Sequence, residues 1–256
     1  MEMLHPYETH MPHRPVCPGD DRSIIWEDIA LHSHRWSHIN LTTKGPMIAL
    51  QNFTCYSPLL RNLRSVMLDV SSPTDICRLF SSAPLLQDLA FCGSITLWRE
   101  LARTIPLHQL VNLMVTVRIY EPDDANPDFY ACLKEAALLE GLHFNVARIV
   151  PRPSTPSDVP LSLAFIHTHI HRLTLNGEIP SVLDQCSMPN LKELFVYSEY
   201  RPYVGGLLEI DPADIKRLVR FVSRSECSVR TFSCFRPMPL STFKAFGRSG
   251  RRRRRH

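Results

Sequence analysis

Six histidines stand in two close sets: His32, His34 and His38, then His167, His169 and His171. Neutral imidazole is a good Zn²⁺ ligand. The second set alternates, so on an extended segment all three rings would point the same way and could converge. Neither set is accompanied by a carboxylate or cysteine at ligand spacing. The histidines therefore read as surface or structural residues, with His34 able to pack against Trp36, and no metal or cofactor is assigned. Cys17, Cys55, Cys77, Cys92, Cys132, Cys186, Cys227 and Cys234 are scattered and include no CxxC pair. Cys77, Cys132 and Cys186 fall in segments that read as helical, and Cys234 in a strand. Reduced, mostly buried thiols are the expected state. The motifs GxSxG, HExxH, GxxxxGK(S/T) and GxGxxG are absent. The acidic pairs Asp20-Asp21 and Asp123-Asp124 lie in Pro-rich or polar stretches and read as solvated turns. With no catalytic constellation, the chain is not expected to be an enzyme.

The charge is uneven. The formal net charge is +4, yet Arg248 and the run Arg251, Arg252, Arg253, Arg254 and Arg255 supply six positive charges in the last nine residues. Without them the chain would carry about −2, so the body lacks the basic excess of a nucleic-acid binder. The arginine run reads as a nuclear-import signal or phosphate contact, or as a terminus with no selected function. Nucleic acid is expected as a partner only through it. No stretch approaches the ~18 apolar residues of a membrane helix, and the first residues, MEMLHPYETHMPHRP, lack an apolar signal region. The expectation is a cytoplasmic or nuclear protein without a membrane partner.

The elements that would position any binding residues come from one recurring phrase: apolar, two residues, apolar, one residue, apolar. It occurs at Trp36-x-x-Ile39-x-Leu41, Leu63-x-x-Val66-x-Leu68, Leu86-x-x-Leu89-x-Phe91 and Leu110-x-x-Leu113-x-Val115. It continues at Leu139-x-x-Leu142-x-Phe144, Ile170-x-x-Leu173-x-Leu175, Leu191-x-x-Leu194-x-Val196 and Val229-x-x-Phe232-x-Cys234. The alternating end of each phrase predicts a strand. The middle apolar positions, 39, 66, 89, 113, 142, 173, 194 and 232, are separated by 21 to 38 residues. Leucine-rich repeats run ~20–29 residues, so most intervals fit and a few hold insertions.

Helices are expected between strands: at 74–80, at Ile95–Thr104 with Leu97, Trp98, Leu101 and Ile105 at helical spacing, and around Phe129, Leu133, Ala136 and Ala137. A short one is expected at 181–186. The strongest begins at Asp211-Pro212, with Asp211 as N-cap, Pro212 in the first turn and Asp214 at the positive end of the dipole. In it Ile215, Leu218, Val219 and Val222 share one face, and Lys216, Arg217 and Arg220 the other. Pro or Ala then turns helix into strand, as in Ala83-Pro84-Leu85-Leu86 and Met188-Pro189-Asn190-Leu191. The insertions are 145–161 and 198–211, and the first, with four prolines, reads as a surface loop.

These features predict an α/β fold: an irregular leucine-rich-repeat solenoid with a mainly parallel β-sheet on the concave side and helices on the convex side. Residues 1–22 are read as disordered, 23–246 as the solenoid with a short N-terminal cap at 23–35, and 247–256 as a disordered Arg-rich tail. The consensus Asn or Cys three residues after the last apolar strand position is replaced by Lys44, Ser71, Ser94, Arg118, Ala147, Glu178, Glu199 and Pro237, so no polar ladder is expected there. If the apolar strand positions face the core, the intervening ones line the open side. Candidate partner-binding residues on that side are Phe195, Tyr197, Phe235, Arg172, Asn176 and His143. The three aromatics fit the anchors common at interfaces.

The segment Leu31-His32-Ser33-His34-Arg35-Trp36, the Ala83-Pro84-Leu85-Leu86-x-x-Leu89 and Met188-Pro189-Asn190-Leu191-x-x-Leu194 units, and the run from Ile215 through Phe221-Val222-Ser223-Arg224-Ser225 to Phe232 share an order. Together, over about residues 25–237, they resemble the leucine-rich-repeat portion of F-box-like proteins of mushroom-forming fungi. The resemblance implies an interaction protein whose repeats hold a substrate for a cullin-type ubiquitin ligase. The helical F-box of that family is expected to be missing ahead of Trp36. A Skp1-type adaptor is accordingly expected as a partner only if an F-box exists upstream.

The charge distribution sets a first test. Deleting residues 248–255 is expected to abolish salt-sensitive RNA or DNA binding, measured by fluorescence anisotropy across a salt series. Affinity that survives the deletion and still falls with salt would show that the body binds nucleic acid.

Overall fold

The computed structural model describes residues 31–42, 60–70, 80–119, 129–148, 165–197, 200–201, 206–207 and 212–234. The eight phrases form eight strands: β1 (His38–Thr42), β2 (Ser65–Asp69), β3 (Asp88–Ser94), β4 (Asn112–Ile119), β5 (Gly141–Arg148), β7 (Arg172–Gly177), β9 (Glu193–Tyr197) and β12 (Thr231–Cys234). They lie side by side in chain order in one sheet, and every pairing is parallel. Two small ribbons accompany it: β6 (Phe165–Ile166) with β8 (Cys186–Ser187), parallel, and β10 (Tyr200–Arg201) with β11 (Gly206–Leu207), antiparallel. The helices are α1 (Ile95–Thr104), α2 (Phe129–Glu135) and α3 (Pro212–Ser225).

The register is the one the phrase implies. Ile39, Val66, Leu89, Leu113, Leu142, Leu173, Leu194 and Phe232 are successive cross-strand partners. A shift of one residue on any strand would turn its apolar set outward. A backbone seam fixes the same register at the strand entrances. The Ser37 carbonyl accepts from both Arg64 and Ser65 N–H, at 2.9 and 3.1 Å. The carbonyls of Arg64, Gln87, Val111, Glu140, His171 and Lys192 each accept the two corresponding amides of the next unit.

Just before six of the eight entrances the chain turns. The N–H of Trp36, Leu63, Leu86, Leu110, Leu139 and Leu191 donates to the carbonyl three residues earlier, on Ser33, Leu60, Ala83, Leu107, Ala136 and Met188. All six acceptor residues are buried. Pro84 and Pro189 occupy the second position of such turns, where a fixed φ is favoured.

The apolar side of the sheet carries the core with the helices. The aromatic side chains form a chain through it: Phe91 to Trp98 at 5.5 Å between centroids, Trp98 to Phe129 at 6.1 Å, and Phe129 to Phe144 at 4.4 Å. Strand β3 runs straight into α1, where Ser94 Oγ accepts from Leu97 N–H at 3.3 Å as an N-cap. Gly177 ends β7 with φ +77°, and a Cβ there would sit 2.3 Å from the Val146 carbonyl oxygen. Only glycine fits that close approach.

Three sequence expectations are corrected. Residues 181–184 form a short turn, of 3-10 type, but Cys186, read as helical, is on β8, because Phe165–Ile166 offers its backbone for pairing. The stretch 145–148 continues β5, since Val146 keeps the alternation and is buried. Arg217 is not on an outer face: it is 7% exposed. Its Nε donates to Asp184 Oδ2 and its Nη1 to Asp214 Oδ1, each at 2.7 Å, and Nη1 also reaches the Ile179 carbonyl at 3.1 Å. Asp214 Oδ2 accepts from Ile179 N–H at 3.2 Å, so it binds a neighbouring segment as well as Arg217. The insertion at 198–211 contains the β10–β11 pairing. Of the helix expected at 74–80 only Phe80 is described, in a 3-10 turn at Phe80–Ser82; residues 74–79, the Asp211 cap, the segments 1–22 and 247–256, and Cys17, Cys55 and Cys77 lie outside the described residues. Cys92, Cys132, Cys186, Cys227 and Cys234 are free thiols. Burial pushes Cys186 up to about 12 despite the nearby Arg224, so its thiol is protonated.

Removing Arg217 would take the two 2.7 Å ion pairs from the buried carboxylates of Asp184 and Asp214 and leave Asp184 the longer one to Arg220 at 3.7 Å. Arg217→Ala is expected to lower the unfolding free energy by about 3–5 kcal/mol, read from urea melts. Exposed Lys216→Ala is expected to change it by less than about 0.5 kcal/mol.

Candidate binding face

The positions between the apolar ones form rows across the other side of the sheet, which none of the described helices covers. The entrance row is His38, Ser65, Asp88, Asn112, Gly141, Arg172, Glu193 and Thr231. The middle row is Asn40, Met67, Ala90, Met114, His143, Thr174, Phe195 and Ser233. The third is Thr42, Asp69, Cys92, Thr116, Asn145, Asn176 and Tyr197. None of these residues whose exposure is described is buried, whereas the apolar partners on β2 to β9 are.

His143, Phe195, Arg172, Asn176 and Tyr197 all fall in these rows, so the face brings together five of the residues named from the sequence. Phe235 and Arg251–Arg255 lie outside the described residues. Phe195 and Tyr197 are half-buried on β9, toward one end of the sheet.

A trough of about 470 Å³ occupies the entrance and middle rows from β2 to β7. Its floor includes Met67 and Met114, 43% and 37% exposed, with Ala90 between them. Both methionines stand at intervening phrase positions, which the sequence assigns to the open side, though neither is among the candidates named from it. Their signal was the shared phrase position, which makes them next-but-one neighbours in a row. His143 stands beside Met114, and burial lowers its pKa below the ordinary 6.5, so its imidazole is neutral at pH 7. In the entrance row Asn112 Nδ2 donates to Asp88 Oδ1 at 2.7 Å. The amide oxygen of Asn112 lies where a Cβ on Gly141 would stand, 2.5 Å away, so the missing side chain makes room for that amide. Arg172 Nε donates to Glu193 Oε2 at 2.6 Å.

The histidine sets do not assemble a metal site, and among the described residues no three His, Cys, Asp or Glu are grouped to hold one. The second set is not extended: the chain bends at Thr168–His169, leaving His169 exposed and His167 buried. His167 occupies the turn position that Ala136 and Met188 fill in neighbouring units. Its Nε2 donates to the Ala136 carbonyl at 2.8 Å in the neutral ε-tautomer, while its Nδ1 is buried with no partner among the described residues. In the first set His34 Nδ1 is 2.9 Å from the Leu31 carbonyl and His38 Nδ1 is 2.8 Å from Ser37 Oγ, and all three rings are exposed.

Comparison with family models, with curated proteins and with solved structures finds no match.

Burial lowers the His167 pKa, an effect the Ala136 hydrogen bond partly opposes and His169 adds to. The native state then binds fewer protons than the unfolded chain below about pH 6.5, so stability falls as pH drops through that value. The loss of unfolding free energy between pH 7.5 and 5 is expected to be smaller in His167→Met, with urea midpoints as the measurement. Equal losses would rule out this histidine as the source.

Proposed function

We propose that this chain is a protein-binding module. We infer further that its parallel sheet is the inner surface of an irregular leucine-rich-repeat solenoid with helices on the convex side. Solenoids of this kind use a long open surface to hold a partner. In keeping with the resemblance to the repeat portion of fungal F-box-like proteins, the role would be to present a substrate to a cullin-type ubiquitin ligase. A Skp1-type adaptor would be a partner where an F-box accompanies the repeats.

The observation that carries this reading is the middle row, none of whose residues is buried and none of which a described helix covers. Parallel sheets are as a rule covered on both faces. Here Met67, Ala90 and Met114 form a continuous apolar strip in a trough, with a neutral His143 and the aromatic Phe195 farther along the row. Adaptable methionines with an aromatic nearby suit protein recognition. The same rows argue against nucleic acid as the partner of the face: they hold the carboxylates of Asp69, Asp88 and Glu193, and Arg172 as the one Lys or Arg among the described residues. A nucleic-acid role would rest on the Arg251–Arg255 run alone.

Panning a random peptide library displayed on phage against the purified chain tests the proposal. Captured peptides are expected to lose more than about tenfold in affinity, ~1.4 kcal/mol, on Met67→Glu or Met114→Glu, and to keep it on Leu138→Glu, exposed outside the trough. Capture indifferent to both methionine substitutions would sink the binding-face reading.

A further inference from the structure

We propose that the trough recognises a cationic amphipathic segment of a partner protein, a Lys or Arg adjoining an apolar side chain; this rests on the binding-face reading above. The charge comes from Asp88. Its half-exposed carboxylate lines the trough and accepts one hydrogen bond from Asn112, and among the described residues no Lys or Arg pairs with it. The nearest cation along the entrance row, Arg172, lies three strands away and is held by Glu193 at 2.6 Å. Asn112 holds Asp88 in place, itself seated over Gly141. One carboxylate oxygen therefore remains for an incoming cation, beside the apolar strip of Ala90 and the two methionines.

The geometry sets the ligand's shape. Asp88 and Ala90 lie on the same strand, two residues apart on the same face, and Met67 and Met114 flank Ala90 at the ~4.8 Å strand spacing. A Lys or Arg can lay its aliphatic stem along the methionines and bring its head to Asp88, as such side chains do on apolar surfaces. An adjoining apolar residue would then cover the rest of the strip. His143, two strands from Ala90, offers one neutral ring N–H and one acceptor nitrogen to a peptide backbone.

Peptides from the same phage panning, synthesised with a fluorophore and measured by anisotropy, test the charge. The captured set is expected to be rich in Lys or Arg next to an apolar residue. Asp88→Asn keeps the shape and the acceptor for Asn112, and is expected to weaken binding about fivefold. Asp88→Lys is expected to shift the panned set toward Glu and Asp. Peptides lost on Met114→Glu but indifferent to both Asp88 variants would overturn the cation assignment and leave the binding face standing. Capture untouched by Met114→Glu, or no capture at all, would overturn both. A dimer dissolved by Met114→Glu, or capture that appears only after residues 248–256 are removed, would also overturn it, by showing a second copy or the chain's own arginines as the occupant.

Discussion

The structure depends on one backbone constraint: at each unit boundary a single carbonyl accepts two successive amides of the next unit. Ser37, Arg64, Gln87, Val111, Glu140, His171 and Lys192 all do this. A carbonyl oxygen has two lone pairs, so the arrangement satisfies both donors as the chain enters the sheet. It involves no side chain, which is why seven boundaries of such different sequence share it. It also makes the strand starts level. The unequal lengths between phrases are taken up elsewhere, and the rows across the sheet stay straight.

Because the seam is a backbone device, the sequence reveals it only through the apolar residues it aligns. Those were legible. The middle positions read from spacing alone, 39 through 232, are the cross-strand partners in the structure, and α1 spans the Ile95–Thr104 expected from its periodicity. Less legible is the column three residues ahead of seven of the eight phrases. Ser33, Leu60, Ala83, Leu107, Ala136, His167 and Met188 share that position and are all buried, yet they share no residue type. His167 is the instructive case. Read with His169 and His171 it suggests a ligand set, whereas read down the column it is a core residue that happens to be polar. Its one satisfied nitrogen binds the carbonyl of Ala136, the residue at the same position in the preceding unit.

A polar ladder does exist, but not where the leucine-rich consensus would put it. One residue before the phrase, Asn62 Nδ2 donates to the His34 carbonyl at 2.7 Å, Gln109 Nε2 to Ala83 at 2.7 Å and Asn190 Nδ2 to Thr168 at 2.7 Å. These amides tie units at the strand entrances, beside the seam. The α3 network was equally hidden. Helical periodicity placed Arg217 with Lys216 and Arg220, since all three are basic. A hydropathy pattern cannot distinguish a solvated guanidinium from one enclosed by Asp184 and Asp214. Asp214 is within one helical turn, but the rest of that enclosure, Asp184 and the Ile179 carbonyl, lies 33 and 38 positions upstream, which no local window contains. Arg224 adds to the same fastening, donating to the carbonyls of Leu183 and Cys186, and Ser225 Oγ accepts from Met188 N–H at 3.1 Å. Helix α3 is thus held to the segment 179–188 by directional contacts at its start, middle and end, in addition to the apolar burial of Leu218, Phe221 and Val222.

The separation of duties between the two sides of the sheet follows from these contacts. Register is set by the seam and by the buried alternation, and helix placement by the core and the α3 network. None of them uses the middle row. Met67, Ala90, Met114, His143, Thr174 and Phe195 are therefore free of the folding constraints that fix their strands. A residue on this row can change without moving the backbone that carries it, apart from the close fit at Gly141 in the row beside it. An apolar strip on such a row gains little for the fold, since its side chains are only partly removed from water. Under the proposed function its contribution comes from the partner segment that covers it, and the side chains that line the strip set the chemistry of that segment.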